Sequence, residues 1–566
     1  MVGQGELRTA AVTSPRLSRR DGVALGLIVL LGLWLRIGGL SGHDPWFDDA
    51  WVVLTGRYGL HDLLRMSASA PGYDLGLTTL WNLDRSSMVM TQLPQFALGL
   101  AGIVAVFALV RWFGCRRPLP HLAALVIAAS PVAVAYSTRL KPYAFDLVAT
   151  CLLLYLAERW RRDLSLRSLG WLAASSLLVT VSAATLPVLA AIAAMMVTAA
   201  VTVPRVRMHA TLAVAWLATL TAAVWWASIR HFPPSLAAFW KAQGAMLATN
   251  STHRTLFSLQ QMGSGFVAGM LNTPLQAPLI VVTSHTGGVT HEGIVAAPLR
   301  PLQLLIAASL YAVLAVVCAM PLLRTLRTKA QTISPGYTAA LAVLAGLCAG
   351  LLGRAPFGGG RTDEVLYPAV ILLVALAAES IADRATSAIP TWLRWGAVGV
   401  ACAGLVAATV TQRPFYPTSD VRGIGQAVLD RVHQGQVVIV DGDATFSWAA
   451  DRLSPTAVAF ERPGPISLWT QGFHEVSRTP RVVLAGRLVE PDIRLARSVR
   501  HVSGVWFVSE DIAAIEGVGY ATGDLNVPVV SPTLFWLKNH GFTHVAARLH
   551  RLHAYALLLE RARDSG

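Results

Sequence analysis

Runs of about twenty predominantly apolar residues recur along the first three quarters of the chain, and no other feature limits its fold so strongly. A helix of that length matches the bilayer core, where every backbone group must be satisfied within the segment itself. The runs fall near 22–40, 93–112, 121–137, 143–159, 169–185, 187–203, 210–229, 302–323, 337–353, 365–382 and 393–411, about eleven in all. Around Ala184-Thr185-Leu186-Pro187 the proline marks either a tight hairpin or a kink. With 54% of its 566 residues hydrophobic and 14% charged, the chain reads as a polytopic α-helical membrane protein.

A net charge of +15 could suggest nucleic acid. The basic residues instead gather in short loops: Arg16 to Arg20, Arg116-Arg117, Arg159 to Arg162, Arg205 to Arg207 and Arg324 to Lys329. All fall on one side of the alternating spans, which the positive-inside rule assigns to the cytoplasm. Anionic lipid headgroups account for them, and no nucleic-acid partner is expected. The opposite side receives the loops 41–92, 230–301 and 354–364 and the tail from 412. The N-terminus is then cytoplasmic and the C-terminus extracytoplasmic. The first apolar run lacks a small-residue cleavage site and reads as an uncleaved span.

Three regions follow: a cytoplasmic segment 1–21, a transmembrane region 22–411, and an extracytoplasmic α/β domain 412–566. In that domain Gln436 to Val440, Arg481 to Ala485 and Val505 to Val508 read as buried strands, and Ser531 to His540 as a helix stopped by Gly541. None of the five cysteines lies there and none forms a CxxC pair, so neither a disulfide framework nor a thiolate metal site is expected. His540, His544, His550 and His553 have only loose metal-like spacing, and Gly263-Ser264-Gly265 with Gly269 does not make a dinucleotide fingerprint.

Three clusters on the outer side carry chemistry. Trp46-Phe47-Asp48-Asp49-Ala50-Trp51 follows the first span. Paired carboxylates there are either a helix N-terminal pair or a general base at the water–membrane boundary. Ser137-Thr138-Arg139-Leu140-Lys141-Pro142-Tyr143 forms the turn between spans three and four, with Asp146 just inside the next span. Its two cations either snorkel or bind phosphate, Arg as a fork and Lys as a point charge. Asp146 either pairs with one of them or serves a ligand. The third cluster, Arg354 to Glu364, holds Gly358-Gly359-Gly360 beside Arg361: a flexible turn, or backbone that a ligand can approach closely.

Trp46-Phe47-Asp48-Asp49-Ala50 resembles the W-x-D-E-A signature in the first outer loop of GT-C membrane glycosyltransferases, the protein O-mannosyltransferase and aminoarabinose-transferase-like enzymes. Ala70-Pro71-Gly72-Tyr73 with Leu80-Trp81, Gln92-Leu93-Pro94, and Ser130-Pro131 with Tyr136-Ser137 and Lys141-Pro142-Tyr143 resemble further segments of that family. The likeness runs over about 22–165 and is weaker around Gly358 to Pro368. Asp49 stands where the family has Glu, Gln92 where it has Arg, and Lys141 where Arg is common.

The resemblance implies a GT-C-like fold and an inverting transfer from a polyprenyl-phosphate sugar donor to a glycan, lipid or protein acceptor of the cell envelope. Asp48 and Asp49 would be catalytic, Asp48 as base. Arg139, Lys141 and Arg361 would bind the donor phosphate, and Trp46, Tyr143 and Asp146 the substrate. A divalent metal is left open. The loop 230–301 could lie on the membrane and cover the site or merely anchor there, and tail tryptophans such as Trp448, Trp469 and Trp506 are either core or sugar-stacking. Two other classes compete: a transporter or flippase of polyprenyl-linked lipid, which would place polar groups near the midplane, and a non-catalytic membrane scaffold.

Overall fold

Ten of the eleven apolar runs form helix in the computed structural model. It describes residues 18–40, 70–83, 89–227, 244–271, 280–295, 301–327, 333–385, 420–441, 499–509 and 532–561, short interruptions aside, and isolated residues or strands between them, Asp49 and Val52 included. The eleventh run, 393–411, lies outside the described residues, as do Trp46, Asp48 and Trp469.

The helices are α1 (Arg19–Ile37), α2 (Pro71–Leu83), α3 (Val89–Trp112), α4 (Leu119–Ala129), α5 (Pro131–Ala135), α6 (Tyr143–Asp163), α7 (Leu166–Ser176), α8 (Leu186–Thr202), α9 (Arg207–Ala227), α10 (Thr252–Leu271), α11 (Pro301–Arg327), α12 (Tyr337–Leu351) and α13 (Tyr367–Ala385). Among the described residues five helical stretches are long and apolar enough to cross a membrane, and six if the bent pair α4–α5 makes one span. Other runs form helices that are shorter or, like α1 and α6, carry more charge. Leu27, Leu212, Leu305, Val316 and Leu326 are among the large apolar side chains turned outward, as a lipid-facing coat requires.

The break between α4 and α5 has a local cause. Pro131 cannot donate a backbone N–H, so the helix ends, and the two pieces meet at 56°. Ser130 restarts it: its Oγ accepts from the Ala133 N–H at 3.3 Å and donates to the Gly269 carbonyl at 2.9 Å. Arg36, fully buried near the end of α1, donates to the carbonyls of Ile127 at 3.0 Å and Ala128 at 2.9 Å and to its own Gly32 at 3.1 Å. A guanidinium thus serves the carbonyl end of α4, where a positive charge is favoured.

Ionic contacts gather the basic loops on one face. Arg111 and His121 approach Asp21 at 3.8 and 3.6 Å, and Arg116 meets Glu379 at 3.4 Å. Arg161 donates to the Ile333 carbonyl at 2.6 Å, and Arg162 to that of Trp112 at 3.3 Å. These contacts bring the start of α1, the end of α3, the start of α4, the end of α6 and the end of α13 together on one side of the bundle.

The loop 230–301 differs from a membrane-surface segment where it is described. Phe257, Met262 and Phe266 of α10 are buried, and Phe266 stacks on Phe357 with ring centroids 5.1 Å apart. A Cβ on Gly265 would overlap the Gly358 carbonyl, so the glycines let α10 seat against the 354–364 loop inside the bundle. An antiparallel pair, β1 (Ile280–Thr286) and β2 (Val289–Val295), follows.

The tail starts with α14 (Val421–Leu429) and has the strands β3 (Gln436–Asp441), β4 (Val458–Phe460), β5 (Phe473–Glu475), β6 (Val482–Gly486) and β7 (Gly504–Ser509). Helix α15 (Pro532–Asn539) ends before Gly541, whose φ is +89°, and the strands β8 (Phe542–Arg551) and β9 (Ala554–Arg561) follow. The main sheet has the order β6-β3-β7-β9-β8, its first three strands parallel and the rest antiparallel. Strand alternation sends Val437 and Ile439 to a core with Leu534 and Leu537. Val438 and Val440 go to the other face with Val421, Ile424 and Trp448, in one buried cluster with Val52, Tyr73, Leu77 and Leu140. The tail domain and the first outer loop share a core.

Candidate active site

The end of the bundle opposite the basic loops concentrates buried ionisable groups. Asp49 is 1% exposed, Asp74 0%, Asp146 1% and Glu364 1%, beside Arg139 at 7% and Lys141 at 6%. Such burial of charge is rare unless each group is compensated or serves a ligand.

Asp49 is compensated twice. One carboxylate oxygen accepts from the Arg139 guanidinium at 3.1 Å, and the other from the Leu140 backbone N–H at 2.8 Å. Arg139 follows a 3₁₀ turn, Tyr136–Thr138, and its own backbone is extended. The two bonds lock the polar stretch 139–142 that joins the bent span to α6. Neither cation of this turn snorkels, because both side chains are enclosed by protein. Tyr136 and Tyr143 meet edge to face, 5.0 Å between centroids, and close the turn from the side.

Tyr73 reaches the same place from α2. Its ring packs in the shared core, while burial first, and then the charges of Asp49, Asp74 and Asp146, push its hydroxyl well above the usual tyrosine range. The hydroxyl therefore stays protonated. Asp146 sits in the first turn of α6, with Ser182 and Glu364 beside it. Glu364 arrives from the 3₁₀ segment Arg361–Leu366 and lies within electrostatic reach of Arg36. Asp363 accepts from the Gly358 N–H at 2.9 Å and closes the glycine loop.

The structure thus joins four sequence-distant segments: the loop after α1, the start of α2, the 136–146 turn and the 361–366 segment. Asp49, Arg139, Lys141, Tyr143 and Asp146 of the expected set are there. Trp46 and Asp48 lie outside the described residues, and of Arg361 only the backbone is described. Tyr73, Asp74, Glu364 and Arg36 join without having been assigned a role from sequence; an arginine within an apolar span was the available signal for Arg36. Gly358 has a different task from ligand approach: its φ is +76° and a Cβ would overlap the Met262 backbone, so it packs the loop onto α10.

No group of three or more His, Cys, Asp or Glu side chains among the described residues is arranged to hold a metal. In the tail, Trp448 and Trp506 are each 2% exposed and belong to the core, which removes them as sugar-stacking surfaces. His540 stacks on Trp536 and His550 on Tyr555. Asp441 accepts from the Thr533 hydroxyl at 2.5 Å.

Two solved structures are similar to the chain. The oligosaccharyltransferase of Archaeoglobus fulgidus, in the apo form, has a TM-score of 0.48 at 12% identity, covering 86% of this chain and 69% of its own. ArnT from Cupriavidus metallidurans, in the apo state, has a TM-score of 0.49 at 13% identity, covering 96% of this chain and 98% of its own. No family model matches the chain, and no curated protein sequence matches it.

Proposed function

We propose that this protein is a membrane glycosyltransferase that moves a sugar from a polyprenyl-phosphate donor to an extracytoplasmic acceptor, with inversion. The observation that carries this reading is the Asp49–Arg139 clamp beside Lys141. It fixes Arg139 in a protein-enclosed turn that also buries Lys141, and Asp49 directly follows Asp48 in the sequence.

The chemistry follows from those groups. Asp48 takes the proton of an acceptor hydroxyl as that oxygen bonds to the anomeric carbon. The bond from that carbon to the phosphate oxygen breaks, and the lipid phosphate leaves with the electron pair. Lys141 and Arg139, with Arg361, meet the charge that develops on the phosphate, and a low-dielectric enclosure strengthens their effect. Asp49 is a positioning residue in this scheme: it aims Arg139 and the Leu140 backbone. Tyr143 and Trp46 border the substrate. A lipid-borne donor reaches such a site sideways from the bilayer, and an Ala-rich, Arg-rich chain fits a bacterial cell envelope as the source of the acceptor.

The test is transfer of labelled sugar from a panel of polyprenyl-phosphate donors in membranes, with wild type compared against Asp48→Asn. Wild type should transfer from at least one donor, and the variant should lose about 10²–10⁴-fold in rate while folding normally. Full transfer by Asp48→Asn would remove Asp48 as base.

A further inference from the structure

The arginines of the basic face are not all answered by the protein. Arg111, Arg116, Arg161 and Arg162 each meet a carboxylate, at 3.8, 3.4, 2.6 and 2.8 Å. Arg205 and Arg207, where the 3₁₀ turn Pro204–Val206 joins α8 to α9, meet none among the described residues. The chain offers them none nearby, because no Asp or Glu occurs between Asp163 and Glu292. Arg207 instead donates through Nε to the Ala200 carbonyl near the end of α8, at 3.2 Å. That bond holds the side chain against α8. Both terminal nitrogens of its guanidinium have no protein acceptor among the described residues.

Beside Arg207 the two helices enclose a groove of about 420 Å³, lined by Val197, Ala200, Val201, Arg207, Thr211 and Val214. Its walls are apolar: the Thr211 hydroxyl donates to the Arg207 carbonyl at 2.8 Å, and the other side chains apart from Arg207 are aliphatic. Val214 lies two turns of α9 beyond Arg207, so the groove runs about 10 Å along the helix from the guanidinium. Both helices belong to stretches long and apolar enough to cross a membrane, and Val197 and Val201 are 48% and 70% exposed. The groove therefore opens toward lipid, with an exposed cation at the membrane boundary. A partner helix would cover the walls and leave the guanidinium unanswered. A phosphate ion would answer the guanidinium and leave the walls bare. A phospholipid does both: a guanidinium takes two phosphate oxygens through parallel N–H bonds, and an acyl chain fills the walls. Arg205 adds charge at the same turn, which favours a headgroup of net negative charge.

We propose that the α8–α9 groove is a binding site for an anionic phospholipid, its phosphate held by Arg207 and one acyl chain lying along Val197, Val201 and Val214. The site is on the face of the bundle opposite the buried acidic cluster and stands independently of the glycosyltransferase reading.

The experiment is native mass spectrometry of the full-length protein in detergent, titrated with phosphatidylglycerol or with phosphatidylcholine of the same acyl chains. Phosphatidylcholine carries an ammonium that neutralises its own phosphate, so the first phosphatidylglycerol should bind about tenfold tighter, the factor one charged hydrogen bond contributes. Arg207→Gln should remove that preference, read as a ratio of Kd values, and Arg207→Lys should keep part of it, since an ammonium retains the charge but not the fork. Arg327→Gln removes the same charge from the end of α11 and should leave the ratio unchanged. Ala200→Phe fills the groove and should weaken both lipids. Glycerophosphoglycerol, the headgroup without chains, should not bind at concentrations where the lipid saturates. Because the preference is a ratio within one preparation, loss of folded protein does not imitate it. Wild type that binds the two lipids alike or binds neither, Arg207→Gln that keeps the preference, Arg327→Gln that loses as much, or Ala200→Phe that binds both lipids normally would each overturn the site. A chainless headgroup bound as tightly as the lipid would reduce it to an anion site. A dimer that takes up no lipid would assign the groove to a second copy of the chain. Either result would overturn the proposal.

Discussion

Asp49 illustrates how one carboxylate can matter through geometry. It is held by a guanidinium and a backbone N–H, both enclosed by protein, so truncation removes a buried ionic partner of Arg139 and the acceptor of the Leu140 N–H. Breaking one side of a buried ion pair costs about 3–5 kcal/mol, whereas replacing both partners with apolar side chains is often neutral. Asp49→Ala should therefore lower the unfolding midpoint in detergent sharply. Asp49→Leu with Arg139→Met should restore the midpoint but not sugar transfer. A double variant that regained transfer would show that the clamp is only structural. At this scale the sequence was legible where an ionisable group interrupts or borders an apolar run, as Arg139, Lys141 and Asp146 do. Glu364 and Tyr73 were not legible as site residues. Their significance comes from missing hydrogen-bond partners, which only the meeting of distant segments reveals.

Elements hold these residues through close approaches that small side chains permit. A Cβ on Gly99 of α3 would lie 2.5 Å from Cβ of Ser137 and 3.4 Å from Nε of Arg36. Gly99→Ala must therefore push the 136–142 turn away from α3. Overpacking of this kind costs about 1–3 kcal/mol. Displacing the turn by about 1 Å should slow transfer on the order of 10²-fold, more than the stability loss explains. The pair of measurements, thermal midpoint and transfer rate, separates the two effects; an unchanged rate would mean that the turn has slack. The run 121–137 reads as one continuous span, and the break within it was missed although Pro131, which ends the helix before it, was the available signal. The strands of the parallel half of the tail sheet were readable as buried apolar runs. The β8–β9 hairpin was not, because His and Arg side chains punctuate Phe542–Arg551, and its register with β9 is irregular in two places. Where α10 would seat was equally hidden: nothing local says that the glycines of 263–269 meet a glycine loop almost a hundred residues later.

Across the whole molecule, two separations coincide. Arginine-rich helix ends and their acidic partners Asp21, Glu158 and Glu379 occupy one face. The cluster of buried ionisable groups around Asp49 and the tail domain occupy the other, joined by the core that runs from Val52 and Leu77 to Ile424 and Trp448. Loop charge alone suffices to read this division, because the positive-inside bias acts on short loops independently of packing. The shared core was beyond reach, since Val52, Tyr73 and Leu140 look like ordinary loop residues until the sheet covers them. If the basic face is cytoplasmic, the tail must be outside, and each side can be probed separately. In a cysteine-free background, Arg205→Cys and His433→Cys place single thiols at exposed positions of the two faces. A membrane-impermeant maleimide applied to intact cells should label His433→Cys at once and Arg205→Cys only after permeabilisation. The reverse pattern would put the acidic cluster in the cytoplasm, where nucleotide sugars are available, and would remove the reason for a lipid-borne donor.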